Sequence, residues 1–272
     1  MSFHRYLSAA IFFIASATTA VAQEETTDSL LMASDCMSQF FQGIEKFKNP
    51  EAVKLTLKNG KIQNIPAFYK ANDLGEYADL GLRDLDGDGK KEFIVFNFTG
   101  GAHCCDEIFI FKNIGPGKYQ YSNHLFGGDV CIGDSNIFRY NFTEHFGYFF
   151  TCYACEYKDT AETAPLRVRE ISLKFSKGKL VVIPGDKELR ALILDNLSKM
   201  SEEPYQVIKE DDFDDGLRKE FAMNLAVYYY SFGRNLLETK NLFNKYYKFP
   251  DAKKVWTAFA NDLAALRLQS DF

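Results

Sequence analysis

The sequence predicts an α+β fold. A mainly antiparallel β domain, either a sandwich or an open barrel-like sheet, is preceded by a helix and followed by a helical segment. Three observations carry this. Apolar residues recur at steps of three and four between Leu30 and Phe47. Period-two runs separated by turn residues fill the stretch from Val53 to Ile183, and the helical period returns after Gly185. Alternation marks half-buried strands, whereas a step near 3.6 marks a helix with one apolar face.

Taken in order, the chain opens with a targeting pattern. His4 and Arg5 precede an apolar run from Leu7 to Val21, and Ala20-Val21-Ala22 is a small-x-small cleavage signal. Residues 1–22 therefore read as a secretory signal peptide whose removal takes away Arg5 and no acid. The apolar run is shorter than the roughly 20 residues a bilayer span needs. The product is expected to be periplasmic or secreted, with no membrane span after cleavage. Residues 23–200 read as the β-rich domain with its leading helix, and residues 201–272 as a helical region.

Leu30, Ala33, Met37, Phe40, Phe41, Ile44 and Phe47 form the leading stripe, which Asn49-Pro50 ends. Val53 to Leu57 and Ile62 to Phe68 flank Asn59-Gly60, the pair that supplies positive φ in a tight hairpin. Further strands are expected at residues 78–83, 92–98, 107–112 and 119–123, the last two joined by Gly115-Pro116-Gly117. Residues 136–142 and 148–153 read as one hairpin, and 166–175 with 179–183 as another, turning at Lys177-Gly178. A helix follows through Leu189, Leu192, Ile193, Leu197 and Met200. Ser201 to Asp215 carries seven acids against Lys209 alone and reads as a solvated linker. One helix is expected through Leu217, Phe221, Leu225, Tyr228, Phe232 and Leu236. Pro250-Asp251 opens a final helix bearing Val255, Phe259, Leu263 and Leu266.

Composition narrows function. A hydrophobic fraction of 46% with 25% charged residues is that of a folded globular chain, and a formal charge of −5 argues against nucleic acid, whose phosphates require a basic surface. The six cysteines, Cys36, Cys104, Cys105, Cys131, Cys152 and Cys155, all follow the cleavage point, and an even count in an exported chain points to disulfides. Six cysteines allow fifteen pairings. Adjacent strand residues face opposite ways, so Cys104 and Cys105 are expected to take different partners. Cys131 and Cys152 flank two expected strands and are placed to reach across a sheet.

The most informative stretch is Asp84-Leu85-Asp86-Gly87-Asp88-Gly89-Lys90-Lys91-Glu92. Acids stand at loop positions one, three, five and nine, with glycine at six. Alternating carboxylates around a glycine bend suit calcium, a hard cation with six to eight oxygen ligands. An EF-hand would need Glu at position twelve and helical flanks. Val95 stands there instead, and the flanks read as strands. The unit resembles the strand–calcium-loop–strand of FG-GAP and VCBS-type repeats. That resemblance implies Ca²⁺ held by Asp84, Asp86, Asp88, Glu92 and the Lys90 carbonyl. Those repeats usually come in series and build a propeller, whereas one copy is present here.

Gly100-Gly101-Ala102-His103-Cys104-Cys105 lies just beyond. With the acidic loop it resembles exported bacterial proteins that pair a DxDGDG loop with a GGAHCC stretch, a resemblance that covers residues 80–111 and implies a shared local fold. Three readings of the cluster stand. The cysteines are disulfide-bonded and His103 packs, as an oxidising compartment favours; His103 and thiolates hold zinc or copper; or Cys152-Tyr153-Ala154-Cys155 is a redox pair. The last would have a helix starting beside it to lower a thiol pKa, and no apolar helical stripe follows Cys155. Gly133-Asp134-Ser135 looks like the start of a GDSL hydrolase pattern but lacks the partner histidine, since the last one is His145, and it reads as a turn.

No catalytic constellation accompanies the loop. The function expected is therefore a calcium-stabilised binding or interaction module, its partner an envelope protein or a glycan. The different-class alternative is an exported enzyme or redox or metal protein using His103 and the cysteines. Tyr228-Tyr229-Tyr230 and Tyr246-Tyr247 are expected mostly in the core, with at least one of the triplet exposed or at a helix seam.

Overall fold

The computed structural model describes residues 49–74, 78–101, 104–133, 135–158, 166–205, 207 and 214–272. The expected signal peptide and leading helix, with Cys36 and His103, lie outside them. The α+β class holds, with nine strands and six α-helices among the described residues.

A one-turn 3₁₀ helix, Pro50–Ala52, leads into β1 (Lys54–Thr56) and β2 (Ile62–Gln63), which pair across the Asn-Gly turn with Leu55 opposite Gln63. Gly60 takes the positive φ this turn requires. The expected second strand stops early. Asn64 caps α1 (Ile65–Ala71), its Oδ1 accepting the Ala67 N–H at 2.9 Å, and Pro66 sits in the first turn where its missing N–H costs nothing. A capped start with an early proline thus overrides the β propensity of Ile62 to Phe68.

The sheet runs in the order β3 (Ala78–Arg83), β4 (Glu92–Gly101), β5 (Cys104–Gly115), β6 (Lys118–Ile132), β7 (Ile137–Asn141), β8 (Glu170–Ser176) and β9 (Lys179–Val182), all antiparallel. β1 lies beside β6 in parallel, Lys54 opposite Lys118. The long strand β6 serves two sheets. Residues 118–128 pair with β5, and 129–132 pair with β7. The expected hairpin partner of β7 at residues 148–153 is not a strand: a run of turns and bends occupies that stretch after α2 (Thr143–Phe146), and β8 takes the place. Phe150 holds a positive φ of 58°, which a ladder would not tolerate.

The central strands are apolar on both faces. Phe93, Val95, Phe109, Phe111 and Tyr119 pack with Leu55, Ile65 and Phe68 beneath the first hairpin and α1. Ile94, Ile108, Ile110 and Leu125 face the other way, into a larger core shared with β7, β8 and the later helices. Each such Phe, Ile or Leu contributes about 1.5–3 kcal/mol by leaving water.

Those helices are α3 (Lys187–Ser201), α4 (Leu217–Ser231), α5 (Leu236–Tyr246) and α6 (Ala252–Gln269). The expected helix through Leu236 is broken at Gly233, where a φ of +98° lets the Arg234 N–H reach the Tyr229 carbonyl at 2.8 Å, and Asn235 caps the next helix. All fifteen residues of α4 are buried, so the tyrosine triplet is wholly internal and none of it is exposed. A helix enclosed on every side must also pair its polar groups. The Arg218 guanidinium meets Asp214 at 2.9 Å and Asp251 at 2.7 Å, Glu220 meets Arg169, and Asn224 donates to the Leu166 carbonyl at 2.8 Å. Asp214 therefore departs from the solvated linker expected of residues 201–215. Among the described residues no helix is long and apolar enough to cross a membrane.

Candidate metal centre

The acidic loop joins β3 to β4, and the ladder between them runs up to the pair Arg83–Glu92. The loop therefore springs from two strands held in register. Gly87 and Gly89 turn it at φ of 73° and 82°. The Asp84 carboxylate gathers the curl, accepting N–H bonds from Gly87 at 2.8 Å, Asp88 at 3.2 Å and Gly89 at 2.9 Å. Asp88 accepts from the Lys90 N–H at 2.8 Å. Leu85 is buried in the larger core and anchors the loop from below, its own N–H donating to Glu92 Oε2 at 3.0 Å.

This folding brings one carboxylate oxygen from each of Asp84, Asp86 and Asp88 within 4.8 Å of one another, a cluster with room and chemistry for a metal ion. Oxygen-only donors suit a hard cation. Asp86 Oδ1 is buried and has no hydrogen-bond partner among the described residues. Glu92, the fourth acid expected to bind, is almost fully buried and stands outside that group of three, its Oε2 accepting the Leu85 N–H. Burial pushes its carboxyl up to about 7, with Asp86 and Asp88 adding to the rise and the Leu85 N–H opposing it. Lys90 lies exposed on the loop with its N–H turned to Asp88.

Two contacts from elsewhere hold the loop, and sequence reading missed them. Asn136, in the β6–β7 turn at φ 59°, donates through Nδ2 to the Asp84 carbonyl at 2.8 Å. Asn113 donates to the Lys91 carbonyl at 3.1 Å. The only signal for Asn136 was its place after Gly133-Asp134-Ser135, a turn where Asn tolerates the left-handed region.

Of the cysteines, Cys152 and Cys155 are disulfide-bonded to each other, their Cα atoms 5.0 Å apart. Cys152 is therefore not the partner of Cys131. Cys104 and Cys105 open β5 and Cys131 lies near the end of β6. Gly133 accepts an N–H from Asn136 at 3.0 Å, as a turn requires. No family model matches the chain, and neither a curated protein nor a solved structure matches it.

Proposed function

We propose that the chain is an exported, calcium-stabilised binding or interaction module, with residues 1–22 as its secretory signal peptide and an envelope protein or glycan as partner. Ca²⁺ is held by Asp84, Asp86, Asp88 and Glu92 with the Lys90 carbonyl, and it staples the β3–β4 hairpin to the turn at Asn136. The observation that carries this reading is the convergence of three carboxylates, one with a buried oxygen that no described residue satisfies. Gathering like charges this closely costs stability that a divalent cation returns. Calcium accepts the irregular oxygen shell such a loop offers, whereas Mg²⁺ demands near-octahedral geometry.

Melting curves with chelator and with millimolar Ca²⁺ test it. A ligand that binds only the folded state raises stability by mass action, about 2.7 kcal/mol at a hundred times Kd. Asp86→Ala with Asp88→Ala is expected to abolish the rise. Identical melting of the natural chain with and without calcium ends the reading.

The alternative, an exported redox protein, draws on one observation: the Cys152–Cys155 disulfide is a C-x-x-C pair.

A further inference from the structure

We propose that Cys152–Cys155 is a thiol–disulfide exchange site that low-molecular-weight thiols open and close in the folded protein, with Lys219 as the positioning residue that favours its thiolate. The inference is independent of the calcium reading.

The geometry begins with the loop itself. Both cysteines are half-buried, Ala154 between them is exposed, and the Cys155 N–H closes the turn on the Cys152 carbonyl at 3.1 Å. The sequence offers no helix directly after the pair. The fold supplies one from about sixty residues downstream, the start of α4. The Asp214 N–H donates to the Phe150 carbonyl at 3.1 Å, and Thr151 Oγ1 donates to the Asp214 carbonyl at 2.9 Å. Gly216, the N-cap of α4, lies so close that a Cβ there would stand 2.8 Å from the Tyr157 nitrogen and 3.2 Å from the Cys155 carbonyl oxygen. The loop is thus laid across the positive end of a fifteen-residue helix.

Lys219 adds a cationic group whose pKa burial and Arg169 lower and Glu156, Glu220 and Asp214 raise in opposition, the net direction being down. It is completely buried, and its Nζ donates to the carbonyl of Tyr153, the residue next to Cys152, at 3.0 Å. Arg167 and Arg169 approach from the other side and share Glu156, Arg169 also meeting Glu220. Lys219, Arg167 and Arg169 stand against Glu156 and Glu220, while Asp214 at the helix start is paired with Arg218 and the Tyr153 hydroxyl donates to Glu144. A thiolate beside lysine, arginine and a helix start is stabilised, and a stabilised leaving thiolate makes its disulfide easier to open.

The exchange balances with glutathione as reductant. A glutathione thiolate attacks one sulfur, the Cys152–Cys155 bond breaks, and the other sulfur leaves as thiolate. A second glutathione thiolate attacks the mixed disulfide, releasing the remaining cysteine and forming oxidised glutathione. Two electrons enter the protein, and solvent protonates the thiolates as pH demands.

The test equilibrates the whole folded chain with reduced and oxidised glutathione in graded ratios, then alkylates it and maps each cysteine by peptide mass. The expected result is that Cys152 and Cys155 pass together from disulfide to dithiol while the far-ultraviolet circular dichroism is unchanged. A pair that stays oxidised in excess reduced glutathione, or opens only as the fold is lost, overturns the proposal. Lys219→Met is expected to lower the equilibrium constant for reduction about tenfold, the worth of one pKa unit on the released thiolate, and Lys219→Arg to restore most of it. Equal constants in the natural chain and Lys219→Met overturn the role of Lys219. Should Lys219→Met fail to fold, thiolate absorbance of the reduced natural chain against pH decides: ionisation below the ordinary thiol value of about 8.5 supports that role, and ionisation at or above it refutes it.

Discussion

The Asp271 N–H donates to the His124 carbonyl at 2.7 Å, which places the segment after α6 in the gap that β1 and β7 leave along the edge of β6. The Asp271 carboxylate meets Lys58 at 2.9 Å and accepts the Tyr121 hydroxyl. Those two donors hold its carboxyl below the usual range against the opposing effect of burial. Ser270 Oγ accepts the Phe126 N–H and donates to the Phe126 carbonyl, both at 2.9 Å, and the Phe272 ring lies against Tyr140 and Tyr230.

Ser270→Ala is expected to leave the Phe126 N–H without its partner, whereas the Phe126 carbonyl keeps the Tyr140 hydroxyl at 2.8 Å. One orphaned N–H costs about 1–3 kcal/mol. Urea unfolding checks this, and a loss near zero would mean that water replaces the hydroxyl.

Glu92 gives the stability of the metal-free protein a pH dependence. Its folded carboxyl sits at about 7 against an ordinary 4.5, so the folded state holds the proton more tightly. Its contribution is fully present below 4.5 and is lost as pH rises through 7. With chelator present, stability is expected to fall across that window by on the order of 2 kcal/mol relative to Glu92→Gln. Calcium is expected to flatten the slope. Parallel slopes for the two proteins in chelator would refute the assignment.

Arg218 is buried between Asp214 and Asp251. Arg218→Ala leaves both carboxylates without their shared cation and is expected to cost about 3–5 kcal/mol in chemical denaturation. A cost below about 1 kcal/mol would place the pair among exposed ion pairs in energy.

Two glycines separate backbone strain from crowding. Gly216 at φ +90° and Gly233 at φ +98° both favour glycine, yet a Cβ at Gly233 meets nothing within 4 Å whereas one at Gly216 strikes the Tyr157 nitrogen. Gly233→Ala is expected to cost about 1 kcal/mol, the left-handed penalty alone. Gly216→Ala is expected to cost at least about 2 kcal/mol more, because backbone must move. Equal losses would show that the contact at Gly216 yields freely.

The strand ladder was legible in the sequence because Phe93 to Val95 and Ile108 to Phe111 alternate between two cores, and because Asn59-Gly60 and Lys177-Gly178 mark their turns. The three aspartates of the metal cluster were legible from spacing alone. What escaped was set by tertiary context. The cap at Asn64 converted an apolar run to helix. Asn136 reaches the acidic loop from some fifty residues away. The burial of the α4 charges was not legible, since a sequence does not reveal which partners a buried Lys219 or Glu220 will meet. The helix beside Cys152–Cys155 was invisible for the same reason, arriving from a distant stretch of chain.

Strand β6 answers to β5 along most of its length and to β7 at its end, with the first hairpin and the segment at Asp271 completing its far edge. Neither half of the molecule can keep its own strand once the other lets go. Denaturation is therefore expected to be all-or-none across both sheets, and folding to be slowed by the distant chain closures that must be in place before β6 is secured.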